Sequence, residues 1–321
     1  MTQDIFVLIE HIQGQVSDIS FIMTAAAREL AQAQGGSVVG ILLGSGAESL
    51  KENLAADRVI YCDHQALAEF TSDAYKRTLI AILKEHEPRA VFFGNTTIGA
   101  DISSSVAAHG SYPIINSCIR VTDNGKVTSQ ICGGKIMVDS QLADKTTIIT
   151  MIPGGYKPEQ GRGGPPSETV NFPPPDLENL KVKLVKFIEP ETGDVDIAQE
   201  KILVAIGRGI QTEDNIELAE ELATLLGGTV CASRPVIDQG WLPTSRLVGK
   251  SGKSVKPDLY LSLGISGATE HLEGIMDSKT IVAINSDPDA PIFDVAKYGI
   301  EVDLFDFIDP LLEQLENTKN G

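Results

Sequence analysis

Cysteine is scarce and scattered. The four cysteines in 321 residues, Cys62, Cys118, Cys132 and Cys231, form no close pair. That spacing leaves out a CxxC redox motif, a zinc site and a disulfide-stapled small scaffold, so all four are read as reduced core thiols. Aromatic residues amount to 5% with a single Trp, too few for a sugar- or base-stacking platform. Cations are outnumbered, 26 Lys and Arg against 44 Asp and Glu, for a net charge of −18. Such a field repels phosphate backbones and anionic headgroups, which argues against nucleic-acid or membrane-surface partners. No run approaches the roughly 18 apolar residues of a spanning helix. Met1-Thr2-Gln3-Asp4 before Ile5–Ile9 has neither the basic region nor the length of a signal peptide, so the expected compartment is the cytoplasm. No GxSxG elbow occurs, and His11, His64, His86 and His109 lack metal-ligand spacing.

What is present is aliphatic and periodic. Hydrophobic residues make up 42% and charged residues 22%, a soluble globular composition, and the length suits two domains. In the first half, apolar runs (Ile5–Ile9, Val38–Leu43, Arg58–Tyr61, Ala90–Phe93) alternate with amphipathic segments (Ile19–Gln34, Ser72–Glu85), a βαβ rhythm. Ile22, Met23, Ala26, Leu30 and Ala33 recur at helical spacing and end at Gly35-Gly36, a left-handed cap signal. After residue 113 come short β-rich runs, Ile114–Val121, Lys126–Ile131 and Thr146–Ile152, with Asn124-Gly125 as a hairpin signal. They predict an antiparallel extension of the sheet. Residues 153–175 hold seven of the sixteen prolines and are expected to form no regular element. An alternating run, 180–188, precedes the acidic piece 189–194, read as the interdomain linker.

From Lys201 the rhythm restarts, with expected strands at Ile202–Ile206, Thr229–Cys231, Leu259–Leu263, Thr280–Ile284 and Glu301–Leu304. Thr212 looks like a helix N-cap with Glu213 and Asp214 on the favourable dipole end. Ile216, Ala219, Leu222 and Leu226 give an apolar face ending at Gly227-Gly228. The predicted architecture is α/β in two domains: a mixed-sheet α/β domain over residues 1–196 and a doubly wound parallel-sheet domain over 197–321. The ligand of the second should lie across the carboxyl ends of its strands.

Three loops at that end carry candidate chemistry. Gly207-Arg208-Gly209 follows the first strand and would let backbone N–H groups approach a phosphate, although a tight turn explains it equally. It is an incomplete dinucleotide fingerprint: Thr212 replaces the third glycine, and Ala232-Ser233-Arg234 replaces the acidic residue expected for NAD. Gly249-Lys250-Ser251 ends like a P-loop, but Thr244 stands where its first glycine belongs and no strand leads in. Charge remains: Arg234, Arg246, Lys250, Lys253 and Lys256 face a single acid, Asp238, in that stretch, which favours an anionic ligand over a solvated loop. Gly264-Ile265-Ser266-Gly267-Ala268-Thr269-Glu270-His271 should turn from the third strand into a helix and form a second phosphate cradle. His271 alone would more often be an ordinary core or surface histidine.

Taken in order, Ser233-Arg234-Pro235-Val236, Gly240-Trp241-Leu242-Pro243, Val248-Gly249-Lys250-Ser251-Gly252, Gly264-Ile265-Ser266-Gly267-Ala268 with His271, Ile281-Val282-Ala283-Ile284-Asn285, Ala290-Pro291-Ile292-Phe293 and Tyr298-Gly299-Ile300 with Asp303-Leu304-Phe305 resemble the bacterial-type alpha subunit of electron-transferring flavoprotein. The likeness is dense from 201 to 310 and weaker before. It implies a heterodimer with a beta subunit, contacted by the N-terminal domain, and FAD in the C-terminal domain. It implies electrons taken from flavin dehydrogenases, such as the acyl-CoA dehydrogenases of fatty acid β-oxidation, and passed to a quinone reductase or another acceptor. By motif match Arg208, Ser233, Arg234, Val248, Gly249, Lys250, Ser251, Ser266, Gly267, Ala268, Thr269, Glu270, His271, Asn285, Asp303 and Leu304 would line FAD. Arg234 would sit against the isoalloxazine, Ser251 near N5 and His271 near the N1/O2 edge. The chain departs from the family pattern at Lys250-Ser251, often Gln-Thr, and at Thr269-Glu270, often Ile-Gln. Other readings are an electron-bifurcating, NADH-oxidising pair with a second FAD in the beta subunit, a flavin- or nucleotide-dependent enzyme acting alone, and a nucleotide-binding interaction protein.

Overall fold

Runs that are aliphatic at every position become strands covered on both faces, the pattern of a parallel sheet. The computed structural model describes residues 2–122, 124–132, 134–164, 166, 168–187 and 195–320. It divides into two units, Met1–Phe187 and Ile188–Gly321. The acidic piece 189–194, read as a linker, lies outside the described residues.

The first unit is built on a nine-stranded sheet: β1 (Ile5–Leu8), β2 (Val38–Gly44), β3 (Arg58–Asp63), β4 (Ala90–Gly94), β5 (Ile114–Val121), β6 (Val127–Ile131), β7 (Ile136–Ser140), β8 (Thr147–Met151) and β9 (Glu168–Asn171), in the order β9-β3-β2-β1-β4-β8-β5-β6-β7. Alternate residues of each strand point to opposite faces. Helix α1 (Asp18–Gln34) brings Ile22, Met23, Ala26 and Leu30 onto Val7, Phe92 and Ile149. Helices α2 (Ser72–His86) and α3 (Thr97–Gly110) bring Leu79, Leu83, Ile102 and Val106 onto Phe6, Leu8 and Val91. Each such Ile, Leu, Val, Met or Phe side chain contributes about 1.5–3 kcal/mol by leaving water. Gly35, at φ 73°, caps α1 as its sequence predicts, whereas Ala33 is exposed.

Several expectations need correction. The strands after residue 113 are not simply an antiparallel extension. β8, buried at all five positions, inserts parallel between β4 and β5, and the antiparallel pairs are β5–β6 and β6–β7. A fully apolar strand belongs in the sheet interior, where both faces are covered. The proline-rich segment does form a strand, β9, parallel to β3 at the sheet edge. Pro166 and Pro173 flank it, so neither removes a ladder donor. The alternating run from Leu180 forms no strand over its described residues: Lys181 N donates to Asp73 on α2, and Val182, Leu184, Val185 and Phe187 are exposed. Cys62, Cys118 and Cys231 are buried thiols, but Cys132 is exposed.

The second unit has a five-stranded parallel sheet: β10 (Ile202–Ile206), β11 (Thr229–Ala232), β12 (Leu259–Leu263), β13 (Ile281–Asn285) and β14 (Tyr298–Glu301), in the order β11-β10-β12-β13-β14. Strand order reverses between β10 and β12, which makes the sheet doubly wound. Helices α4 (Ile216–Leu226), α5 (Arg234–Asp238), α6 (Thr269–Leu272) and α7 (Leu304–Asn320) complete it. Two starts differ from expectation. Helix α4 begins at Ile216, after a turn in which Asn215 Nδ2 donates to the Ile210 carbonyl, so Thr212 is not its cap. The last strand is Tyr298–Glu301 rather than Glu301–Leu304, because Asp303 Oδ1 accepts from Phe305 N at the entry to α7.

Candidate functional site

The carboxyl ends of β10 to β14 open on one cavity of about 740 Å³, within the range of cofactor-sized sites. Arg208 and Gly209 come from the end of β10, Ser233 and Arg234 from β11, Gly264 to Ala268 from β12, Asn285 to Asp287 from β13, and Asp303 and Leu304 from beyond β14. Leu247 to Ser251 close one side. That loop is fixed by Val248 N donating to Ala232 O at 3.0 Å, Lys253 N to Leu247 O at 2.8 Å and Lys250 N to Glu270 O at 2.7 Å. Gly249, at φ 130°, could not carry a side chain: a Cβ would lie 2.7 Å from the Glu270 carbonyl.

Every residue assigned to the cofactor from sequence lines this cavity except Thr269. Thr269 is the first residue of α6 and is exposed outside the lining. The sequence reading missed Gln211, Pro235, Leu247, Ile265, Ser286 and Asp287 among others. The rule that ligands lie beyond strand carboxyl ends would have found Ser286 and Asp287, directly after β13.

Of the two phosphate cradles read from sequence, the first is closed within the protein and the second has little helix behind it. Gly207 N donates to Leu263 O at 2.9 Å and Gly209 N to Gly264 O at 3.1 Å, so both amides are spent within the protein. A Cβ on Gly209 would lie 2.6 Å from Gly264 Cα; these glycines let the β10 and β12 loops touch. Helix α6 has only four residues, too few for much of a dipole. The N–H groups of Ser266, Gly267 and Ala268 nevertheless donate to no carbonyl among the described residues.

The basic island divides. Arg234 and Lys250 line the cavity, while Lys253 turns to Asp196 at 2.7 Å and Arg246 donates to the Val230 carbonyl at 2.8 Å. Lys256 is exposed and outside the lining. Arg208, Arg234 and Lys250 are balanced by Glu270, Asp287 and Asp303, so the lining is close to neutral rather than strongly cationic. Arg234 Nε meets Asp238 at 2.6 Å and its Nη1 meets Ser251 Oγ at 3.3 Å, which spans the cavity mouth from α5 to the loop. Burial pushes the His271 imidazole down to about 4. Its Nε2 is 2.9 Å from the Tyr260 hydroxyl, and its Nδ1 is buried without a hydrogen bond of good geometry, although the Val248 backbone beside the ring favours the charged form.

The first unit's sheet also reverses strand order, between β1 and β4. There the protein's own Glu10 fills the crevice. It is buried and accepts from Gly94 N at 3.1 Å and Thr96 Oγ1 at 2.7 Å.

Residues 5–176 match the electron transfer flavoprotein domain, and residues 196–276 match the electron transfer flavoprotein FAD-binding domain. The electron transfer flavoprotein subunit alpha of Thermoanaerobacterium thermosaccharolyticum is 33% identical over 99% of both chains. The chain belongs to the electron transfer flavoprotein alpha-subunit family. The Bacillus subtilis member is 32% identical over 98% of each chain. The LctC subunit of the lactate dehydrogenase (NAD(+),ferredoxin) of Acetobacterium woodii is 32% identical over 99% of this chain and 78% of its own. A thiamine diphosphate-dependent 4-hydroxybenzoylformate decarboxylase from Rhodococcus jostii aligns over 98% of this chain and 59% of its own at 9% identity, with a TM-score of only 0.25. FAD is the cofactor of this family's C-terminal domain. The cavity fits it: unspent amides at 266–268 supply donors, and apolar Val248, Ile265, Ile284 and Leu304 supply contact area.

Proposed function

We propose that the chain is the alpha subunit of a cytoplasmic heterodimeric electron carrier, with residues 1–196 contacting a beta subunit and residues 197–321 holding FAD. One observation carries the reading: residues from five separate strand ends, assigned to FAD by motif match alone, converge on a single cavity. When bound, FAD supplies the chemistry by accepting and donating electrons. The protein's part is to bind, orient and tune. Arg234 keeps its charge at any physiological pH and is placed by Asp238 and Ser251 beside the cavity. Ser251 offers a hydroxyl and His271 a ring nitrogen. No acid–base pair for remodelling a substrate bond is needed. We assign the donors to flavin dehydrogenases of the acyl-CoA type and the acceptor to a quinone reductase or an equivalent carrier.

Similarity to LctC, a subunit named for a reaction with NAD(+) and ferredoxin, favours a second reading, electron bifurcation with a second FAD in the beta subunit. Visible absorption of the co-expressed heterodimer, before and after NADH, separates them. One FAD per heterodimer, not bleached by NADH, supports the simple carrier. Two FAD with bleaching supports bifurcation. A colourless pair that takes up no FAD overturns both readings.

A further inference from the structure

The carboxyl end of the first unit's sheet has the parts of a ligand site, and the chain itself occupies it. Strand order reverses between β1 and β4, the place where open α/β sheets take their ligands. Helix α3 starts there with Thr96 as its N-cap, Thr96 Oγ1 accepting from Gly99 N at 2.9 Å. Gly94 and Gly99 keep the adjoining space clear of side chains. A Cβ on Gly94 would lie 2.6 Å from Glu10 Oε1, and one on Gly99 2.9 Å from the same atom. A glycine-lined strand end that opens into a helix N-terminus is how such folds receive the acidic group of a ligand.

The acidic group present is the protein's own. Glu10 is buried, its Oε1 accepting from Gly94 N at 3.1 Å and its Oε2 from Thr96 Oγ1 at 2.7 Å. Both carboxyl oxygens are therefore partnered, as those of a bound ligand would be. The backbone of Glu10 is held as well. Its N–H donates to Ser20 Oγ at 2.8 Å, and its carbonyl accepts from Ser17 N at 2.9 Å and Ser20 Oγ at 3.2 Å. A short hairpin pairing His11–Ile12 with Gln15–Val16 returns the chain to those serines. The neighbouring strand end is closed too, because the Leu43 carbonyl of β2 accepts from His11 Nε2 at 2.7 Å and from Tyr75 Oη at 3.3 Å. An occupant tethered to its seat by the chain binds as an intramolecular ligand, and a free one can displace it only at a concentration above the effective concentration of the tether.

We propose that Glu10 is a built-in ligand that closes a nucleotide-type crevice: the seat formed by Gly94, Thr96 and Gly99 takes a carboxyl group, and the first unit accepts no nucleotide there. Any second nucleotide of the heterodimer then lies outside this unit. The proposal concerns the first unit alone and stands whatever the second unit binds.

The test uses the heterodimer of full-length chains, with amide hydrogen exchange read at residues 94–99. Acetate is the probe, compared with chloride at equal ionic strength. In Glu10→Ala the seat is vacated and exchange there quickens. Acetate should slow it about tenfold at ten times its dissociation constant, and chloride should not. Glu10→Gln keeps the seat filled and gains no protection from acetate. Wild type keeps its exchange at 94–99 when acetate or AMP is added. Slowing of the wild type by AMP, no acetate effect in Glu10→Ala, or an equal effect of chloride overturns the proposal. If Glu10→Ala does not fold, its refolding yield decides: recovery in acetate but not in chloride supports the carboxyl seat, and equal or absent recovery refutes it.

Discussion

Arg234 and Glu10 are two charged residues whose surroundings make opposite demands. Arg234 is 60% exposed, so its field is largely screened by solvent. A cation nevertheless favours electron uptake by a neighbouring flavin. Arg234→Ala should therefore lower the midpoint potential of the bound FAD by tens of millivolts, against about 59 mV for a tenfold change in a one-electron equilibrium. Arg234→Lys should retain most of it. An unchanged potentiometric titration of the alanine variant would remove Arg234 from that role. Glu10 is 3% exposed, and burial pushes its carboxyl up to about 7 despite the bonds from Thr96 and Gly94. Between pH 4.5 and 7 the folded protein holds a proton that the unfolded chain releases. The stability Glu10 contributes is therefore present at low pH and lost as pH rises through about 7, a change on the order of 3 kcal/mol. Glu10→Gln should abolish this slope in denaturant titrations of the first unit and gain on wild type as pH rises from 5 to 8. Parallel pH profiles for the two proteins would contradict the assignment.

At the level of elements, the β6–β7 hairpin leaves Ile131, Ile136 and Met137 exposed at 41%, 47% and 50%, on the free edge of the sheet. Exposed apolar edge strands are either covered by a partner or prone to aggregate, and the proposed beta-subunit contact makes covering the expectation. Ile136→Lys together with Met137→Lys should weaken heterodimer formation at least about tenfold, the loss of two buried apolar side chains. The circular dichroism of the chain should not change. Sedimentation that shows undiminished association would place the contact elsewhere. The same region marks where the sequence stopped being readable. Helices and central strands announce themselves by period, as α1 does through Ile22, Met23, Ala26 and Leu30. Strand neighbours depend instead on which faces the rest of the chain covers, so β8 entered between β4 and β5 unforeseen. β9 was hidden by its prolines, because edge placement removes the constraint that normally excludes them. The site was legible residue by residue through motif likeness, but its hydrogen bonds were not. The amides of Gly207 and Gly209 look available in sequence and are spent in space, while Tyr260 gave no signal because burial and a hydroxyl partner exist only once β12 and α6 meet.

For the whole molecule, the net charge of −18 describes a surface, whereas the cavity lining balances three cations with three carboxylates. Affinity for FAD must therefore come from donors and apolar contact within the second unit more than from long-range attraction. Each unit has its own pair of hydrophobic cores, one on either face of its sheet. A ligand that binds only one folded unit stabilises that unit by mass action, about 2.7 kcal/mol at 100 times its dissociation constant. Hydrogen exchange of the most protected amides reports the free energy of opening each cooperative unit. At that FAD concentration, core amides of β10, β12 and β13 should exchange about 100-fold more slowly, while those of β1, β4 and β8 keep their rates. Equal slowing in both sets would mean that the two units open together, and no slowing in β10 to β13 would mean that FAD does not reside on their carboxyl ends.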